Sequence, residues 1–393
     1  MSAFRCYIQS AGLISSLGEG IAETSTRLMT GDTCGLRAES GWLPSGSAFV
    51  GPVTATLSKL PPAFAEYDCR NNRLLAAAAV QIEPALATLI ERYGPARIGV
   101  VLGTSTSGIA AGEAGVAAKI RDGVFPSDYS YRQQEIGTLG PFAARLLGVT
   151  GPAYTVSTAC TSGAKALIAA RNLLALGLCD AVIAGGVDTL CRLTIGGFSA
   201  LESVAAERCN PMSRNRRGIN VGEAAALFVL SREPAAVCLI GAGEASDAYH
   251  LSAPDPAGRG AEIAIRAALS EAGIAASAID YVNLHATATL KNDAMESAVM
   301  ARIFPAGVPA SGTKPLTGHT LGAAGALEAA FCWLALTGDG RLPPHIWDAE
   351  SDPALPALDL VTTGQTLPQG HGRLCMSNSF AFGGGNASLI FSD

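Results

Sequence analysis

The sequence reads as an α/β protein built twice over, with five layers in the order αβαβα. Two observations carry that expectation. Apolar strands and helices alternate along the whole chain, as they do where sheets are covered by helices on both sides. The second half also repeats the order of the first. A strand running into Gly103–Thr104–Ser105–Thr106–Ser107 is matched by one running into His285–Ala286–Thr287–Ala288–Thr289. The turn and helix at Cys160 are matched by the turn and helix of Lys314–Gly325. The stretch near Pro234 divides the chain into halves 1–235 and 236–393, and the active site is expected where they meet.

The elements follow in order. Cys6–Leu17 reads as a strand closed by a glycine turn, and Ile21–Met29 as a helix ending at Gly31. Ser40–Pro62, rich in Pro, Gly and Ser, reads as loop with short strands. Leu74, Leu75, Ala78, Val80, Ile82, Leu86 and Leu89 predict a helix over Asn72–Tyr93. Ile98–Leu102 is a short buried strand. Val116–Tyr131 reads as a surface insertion, and Arg132–Leu147 as a helix. A strand at Asp180–Ala184 precedes an irregular, Gly- and Arg-rich stretch over Thr194–Gly222. Strands at Ala224–Ser231 and Cys238–Ala242 follow. The second half gives helices at Ala261–Glu271, Ala294–Ile303 and Gly318–Leu336, with strands at Tyr281–Leu284, Pro309–Thr313, Leu374–Ser377 and Ala387–Phe391.

Composition narrows the function. The 393 residues are 49% hydrophobic and only 15% charged, so the chain buries much of itself. A net charge of -6 without a long basic run argues against nucleic-acid binding. The ten cysteines form no CxxC pair, which leaves out a zinc ribbon and a thioredoxin site. The N-terminus lacks a signal-peptide pattern, and no uncharged apolar run reaches membrane-spanning length. A cytoplasmic protein with reduced thiols and no membrane span is expected.

Within Tyr154–Lys165, small residues surround Cys160 between an apolar strand and an alanine-rich helix. A thiol at a helix start lies near the positive end of the dipole and beside unpaired N–H groups, which favours the nucleophilic thiolate. The same N–H groups suit an oxyanion. A buried structural cysteine is the plain alternative. Of five histidines, His285 and His319 fall at strand ends, where neutral imidazoles can donate to a substrate carbonyl. Neither HExxH nor a third ligand at fixed offset is present, so a metal is not expected. Lys314 and Glu328 could pair around His319. Asp293 and Glu296 share one helix face, which composition alone would leave in solvent. GxGxxG, Walker-type and GxSxG patterns are missing, which disfavours nucleotide binding and serine hydrolysis.

Four motifs together resemble one family. They are Ser157–Gly163 around Cys160; His285–Thr289 with Asn292, Asp293 and Glu296; Lys314 with Gly318–Gly325 and Glu328; and Asn378–Asn386. Ser246–His250 adds to them. The chain resembles the β-ketoacyl-acyl carrier protein synthases of the synthase II type, in the thiolase superfamily, over essentially its whole length. The resemblance implies a thiolase-like fold and a decarboxylative Claisen condensation in fatty-acid or specialised polyketide or polyene synthesis. It implies that Cys160 takes the acyl chain from an acyl carrier protein, and that His285 and His319 hold the malonyl thioester and support its decarboxylation. Lys314 and Glu328 would tune His319, and the N–H groups of Cys160 and Phe382 would form the oxyanion hole. Phe382 and Phe380 would gate or line the acyl pocket with Thr106, Thr287 and Thr289, supported by Asp293, Glu296 and Asn386. The family uses neither metal nor organic cofactor in this site. The implied partners are acyl- and malonyl-loaded carrier protein and a second subunit, either the same chain or a chain-length-factor-like one. Lys119, Arg121, Arg132, Arg208 and Arg214 are candidates for docking an acidic carrier.

Several positions depart from the family pattern. Ala286 and Ala288 replace usual glycines and would be strained if φ is positive there. Pro315 replaces the usual serine, Ser213 an acidic residue, and Thr106 a larger apolar one. A thiolase would need a second cysteine in the last glycine loop, whereas Cys375 lies upstream of it.

Overall fold

The computed structural model describes residues 4–393; Met1–Ala3, part of the N-terminal stretch read above, lie outside them. Across the main sheet the strands run Ala310–Ser311, Tyr281–Asn283, Leu374–Phe380, Gly385–Ser392 and Val237–Ser246, then Cys6–Ser15, Ala224–Ser231, Ala181–Asp188, Ile98–Gly103 and Ala153–Val156. Each set of five has the same internal order and the same senses. Numbered within its own half, the order from the centre outwards is first, fifth, fourth, second, third. The first two contacts are antiparallel and the last two parallel in both. The two half-sheets meet where Cys6–Ile8 pairs antiparallel with Val237–Leu239.

The central layer is the helix pair Ser162–Ala175 and Ala324–Thr337, which pack on each other and on strands of both half-sheets. Helices Arg70–Tyr93 and Leu139–Leu147 cover the outer face of the first half-sheet. Arg259–Ala272 and Leu290–Ile303 cover that of the second. Five layers result, with strands buried on both faces. On Ile98–Gly103, Val101 joins the central core while Val100 and Leu102 face the outer one. That explains continuous apolar runs rather than alternation. Helix Arg70–Tyr93 is long and apolar enough to cross a membrane by composition, but Leu74, Leu75, Ala78, Ile82, Leu86 and Leu89 are buried in the protein core.

Three expectations of local structure need correction. The surface stretch Val116–Tyr131 is not irregular at its start: Val116–Asp122 completes the helix Ile109–Asp122, whose C-terminus is capped by Gly123 in the left-handed region. Thr194–Gly222 is not irregular throughout, because Arg192–Ala200 is a helix; the Glu113 side chain accepts from the backbone N–H groups of Arg192 and Leu193. The helix expected from Arg132 begins only at Leu139, after two short 3₁₀ turns.

Candidate active site

Cys160 sits in the turn between strand Ala153–Val156 and helix Ser162–Ala175. Ala159, just before it, has φ 51°. The hydroxyl of Ser162 donates to the Ala159 carbonyl at 2.6 Å and accepts from the Thr158 N–H at 2.9 Å, which holds this tight turn. His319 lies between the turn Lys314–Thr317 and the helix Ala324–Thr337, and Leu321 beside it has φ 50°. The two turns are mates across the internal repeat, and they meet with little space. A Cβ on Gly163 would stand 2.8 Å from the Ala326 nitrogen, and one on Gly325 2.8 Å from the Ala164 nitrogen. Close approach of backbones therefore demands glycine on this seam.

The result brings His319 Nε2 within 3.0 Å of Cys160 Sγ. The His285 ring stands edge-on to His319, with centroids 5.3 Å apart. Lys314 is buried with Glu328, Nζ to Oε1 2.5 Å. It also donates to the His285 carbonyl oxygen and lies 3.4 Å from His285 Nδ1. A cation at Nδ1 leaves the His285 proton on Nε2. Among the described residues His319 Nδ1 has no hydrogen-bond partner, and a buried lone pair is less costly there than a buried N–H, so its proton also belongs on Nε2. Burial, and then the Lys314 charge, hold both imidazoles well below the usual histidine range. Two neutral Nε2–H donors thus converge beside the thiol, an arrangement suited to negative charge developing on a thioester oxygen.

The thiol itself corrects the expectation of a resting thiolate. Burial pushes Cys160 up to about 11, although the Lys314 charge and the Phe382 N–H aimed at the sulfur pull the other way. Cys160 is only 7% exposed, so its charged form is stripped of most of its hydration. One ligand atom from each of Cys160, His285 and His319 lies within 4.8 Å of the others, a spacing that could bridge a metal ion. The Lys314 ammonium beside His285 opposes a cation there.

The loop after His285 carries the strain foreseen for its alanines. Ala286 has φ 38° and Ala288 φ 63°, and both are fully buried. Glu296 accepts from the His285 and Ala286 N–H groups, each at 2.7 Å, and Asp293 accepts from the Ala288 N–H at 3.1 Å. These carboxylates are buried supports, not a solvated face; burial pushes Glu296 up to about 7 and Asp293 above its usual range. The Cβ of Ala286 also fills the space beside Gly312, where an added Cβ would come within 2.4 Å of it.

A cavity of about 530 Å³ opens onto Cys160, His285 and His319. Thr287, Thr289, Phe380, Phe382 and Asn386 line it. Thr106 does not: it is fully buried, and its hydroxyl is bound to Asp188 at 2.9 Å. Phe198 packs on Phe382 with centroids 5.5 Å apart. Asn386 donates to Asp247 at 2.7 Å, tying the last glycine loop to the segment after strand Val237–Ser246. The proposed docking cations Lys119, Arg121, Arg132, Arg208 and Arg214 are exposed and outside the cavity; Arg216, Arg217 and Lys291 are the basic residues in its wall. Sequence reasoning missed those three, Phe198 and Asp188. A signal for Asp188 existed: an acid closing the fully apolar run Ala181–Val187 must find donors inside the fold.

The pattern of the Beta-ketoacyl synthase N-terminal domain matches residues 55–236, and that of its C-terminal domain residues 236–347. The chain is 29% identical to 3-oxoacyl-[acyl-carrier-protein] synthase 2 of Rhizobium meliloti over 98% of each chain. It is 35% identical to nodulation protein E of the same species, over 62% of this chain and 63% of that protein. Among solved structures it superposes, with a TM-score of 0.94 and 46% identity, on a ketosynthase (ApeO) in complex with its chain length factor (ApeC) from Xenorhabdus doucetiae, covering 99% of this chain and 98% of that one. A ketosynthase from Burkholderia phymatum follows at TM-score 0.85 and 26% identity, covering 99% of each chain. Matching patterns over both halves, on a fold that brings one cysteine and two histidines together across its seam, make this chain a member of the β-ketoacyl synthase family of condensing enzymes.

Proposed function

We propose that this chain is the catalytic subunit of a β-ketoacyl-acyl carrier protein synthase that works beside a chain-length-factor-like partner. The observation carrying the reading is the Cys160–His319 contact of 3.0 Å with His285 alongside. Cys160 sulfur attacks the carbonyl of an acyl-carrier thioester, and the carrier thiol leaves with the proton. Malonyl-carrier then binds with its thioester oxygen between the Nε2–H groups of His285 and His319. Its carboxylate departs as CO₂, the electron pair passes into the enolate, and the enolate carbon attacks the acyl group on Cys160. A C–C bond forms and the Cys160 thiolate leaves. Cys160 and Phe382 N–H groups serve the oxyanion, Lys314 and Glu328 hold the charge around the histidines, and Thr287, Thr289, Phe380 and Phe382 contact or gate substrate. Asp293, Glu296 and Asn386 support them.

The working division is residues 1–235, with the nucleophile, and 236–393, with both histidines; the matching strand order supports it. Pairing with a second subunit is supported by the open edge of strand Ala153–Val156 and by the exposed Val116, Ile120, Val124 and Phe125. A cytoplasmic setting is supported by ten cysteines that are all free.

The test is product formation from acyl- and malonyl-carriers with the chain alone and with a co-expressed partner lacking the cysteine. Cys160→Ala should lose the β-ketoacyl product yet still release CO₂ from malonyl-carrier, and His285→Ala should lose both. Full condensation by Cys160→Ala refutes the reading. A fully active homodimer that never co-purifies with such a partner refutes the pairing.

A further inference from the structure

We infer that Asp188 is a positioning residue for the condensing reaction, one buried carboxylate that keeps the turn of Cys160 and the turn of His319 in register. Asp188 closes strand Ala181–Asp188 and is fully buried. It lines no part of the cavity wall, so it does not touch substrate there. Ion pairs do not satisfy it among the described residues. Five donors do: the Thr104 hydroxyl at 2.6 Å, the Ser105 N–H at 2.8 Å, the Thr106 N–H and hydroxyl at 2.9 Å each, and the Gly322 N–H at 2.5 Å.

Those donors belong to two different halves of the chain. Gly322 is three residues beyond His319, in the turn where Leu321 is left-handed. A Cβ on Gly322 would meet Asp188 Oδ2 at 2.8 Å and the Ser105 nitrogen at 2.7 Å, so the contact is backbone to carboxylate with nothing between. On the other side Ser105, fixed by Asp188 through its N–H, donates its hydroxyl to the Ala159 carbonyl at 3.3 Å. Ala159 is the left-handed residue before Cys160. One carboxylate therefore reaches the nucleophile turn through Ser105 and the histidine turn directly. A buried anion with only hydrogen-bond donors around it is costly to keep, and here three of its five donors are peptide N–H groups, those of Ser105, Thr106 and Gly322, in the turns that brace Cys160 and His319. Burial pushes Asp188 above the usual carboxylate range, against which its hydroxyl and N–H donors act; in its ionised form its charge adds a small upward push on Cys160.

The rate arm of the test rests on the condensing-enzyme reading; the alkylation arm does not. Asp188→Asn keeps the shape but turns one oxygen into a donor facing N–H groups. The expected result is a fall in kcat of about 10–100-fold, as for a misplaced catalytic group, with KM for malonyl-carrier nearly unchanged. The pH midpoint of Cys160 alkylation by iodoacetamide, followed by peptide mass, should move to lower pH as the charge disappears. Ser105→Ala leaves the donors to Asp188 in place and removes only the hydroxyl link to Ala159. It should slow acyl transfer to Cys160 while leaving CO₂ release from malonyl-carrier intact. An Asp188→Asn protein whose rate loss matches its loss of folded protein, with an unmoved alkylation midpoint, overturns the proposal. So does a Ser105→Ala protein with wild-type acylation.

Discussion

Glu296→Ala separates the strain in the His285 loop from the stability of the whole chain. The carboxylate accepts from two buried N–H groups, those of His285 and Ala286. Leaving each unsatisfied costs about 1–3 kcal/mol, or about 2–6 kcal/mol together. Against this, burial has already pushed Glu296 from 4.5 up to about 7. Removing that carboxylate returns about 3 kcal/mol at pH above 7. The net change should lie between a gain of about 1 kcal/mol and a loss of about 3 kcal/mol, read by urea unfolding at pH 7.5. The local effect is larger. Ala286 at φ 38° holds a conformation that costs an alanine about 1–2 kcal/mol, and without its two acceptors the loop relaxes and carries His285 away. Condensation and CO₂ release should fall about 10–100-fold. Glycine visits positive φ without that cost, so Glu296→Ala combined with Ala286→Gly should recover part of the lost rate. A double variant no faster than Glu296→Ala would show that backbone strain is not what Glu296 restrains.

Two further outcomes follow from the buried charges. Lys314→Met strands Glu328, whose side chain is 4% exposed, and should cost about 3–5 kcal/mol. The cost should be smaller at pH 6 than at pH 8, because a protonated Glu328 needs no partner. Adding Glu328→Leu should restore stability but not activity, since Lys314 also holds the His285 carbonyl and Nδ1; recovered turnover in the double variant contradicts this. His345 accepts from the Gly312 N–H and contacts the Pro211 carbonyl, and burial depresses it to about 4. Between pH 6.5 and 4 the unfolded chain binds a proton there and the folded chain does not, so stability should fall with falling pH by about 3 kcal/mol. Unfolding of the wild type and His345→Gln at pH 7 and 4.5 checks this; equal pH slopes would rule it out.

Much of the fold was legible because each half repeats the other, and periodicity marks buried strands and long amphipathic helices reliably. Boundaries near glycines were less so. Helix Arg192–Ala200 contains Gly196 and Gly197, weak helix formers, and its first turn is held by Glu113 from another helix. Local sequence carries no trace of such a distant cap. Cys160, His285, His319 and Lys314 stood out because nucleophile and imidazoles occur at strand–helix turns. The state of the thiol did not, because the helix start is a local feature whereas desolvation depends on everything packed above it. Thr106 illustrates the same limit. Its position in the turn was readable, but its capture by Asp188 was decided by a strand more than eighty residues away.

The glycine seam gives the site a built-in gauge. Cys160 belongs to one half and both histidines to the other, and Gly163 and Gly325 leave no slack where their turns touch. The 3.0 Å between sulfur and imidazole therefore measures how well one half is seated on the other. A disturbance far from the cavity that tilts the two half-sheets by a fraction of an ångström will be read first in chemistry, before it is visible as unfolding.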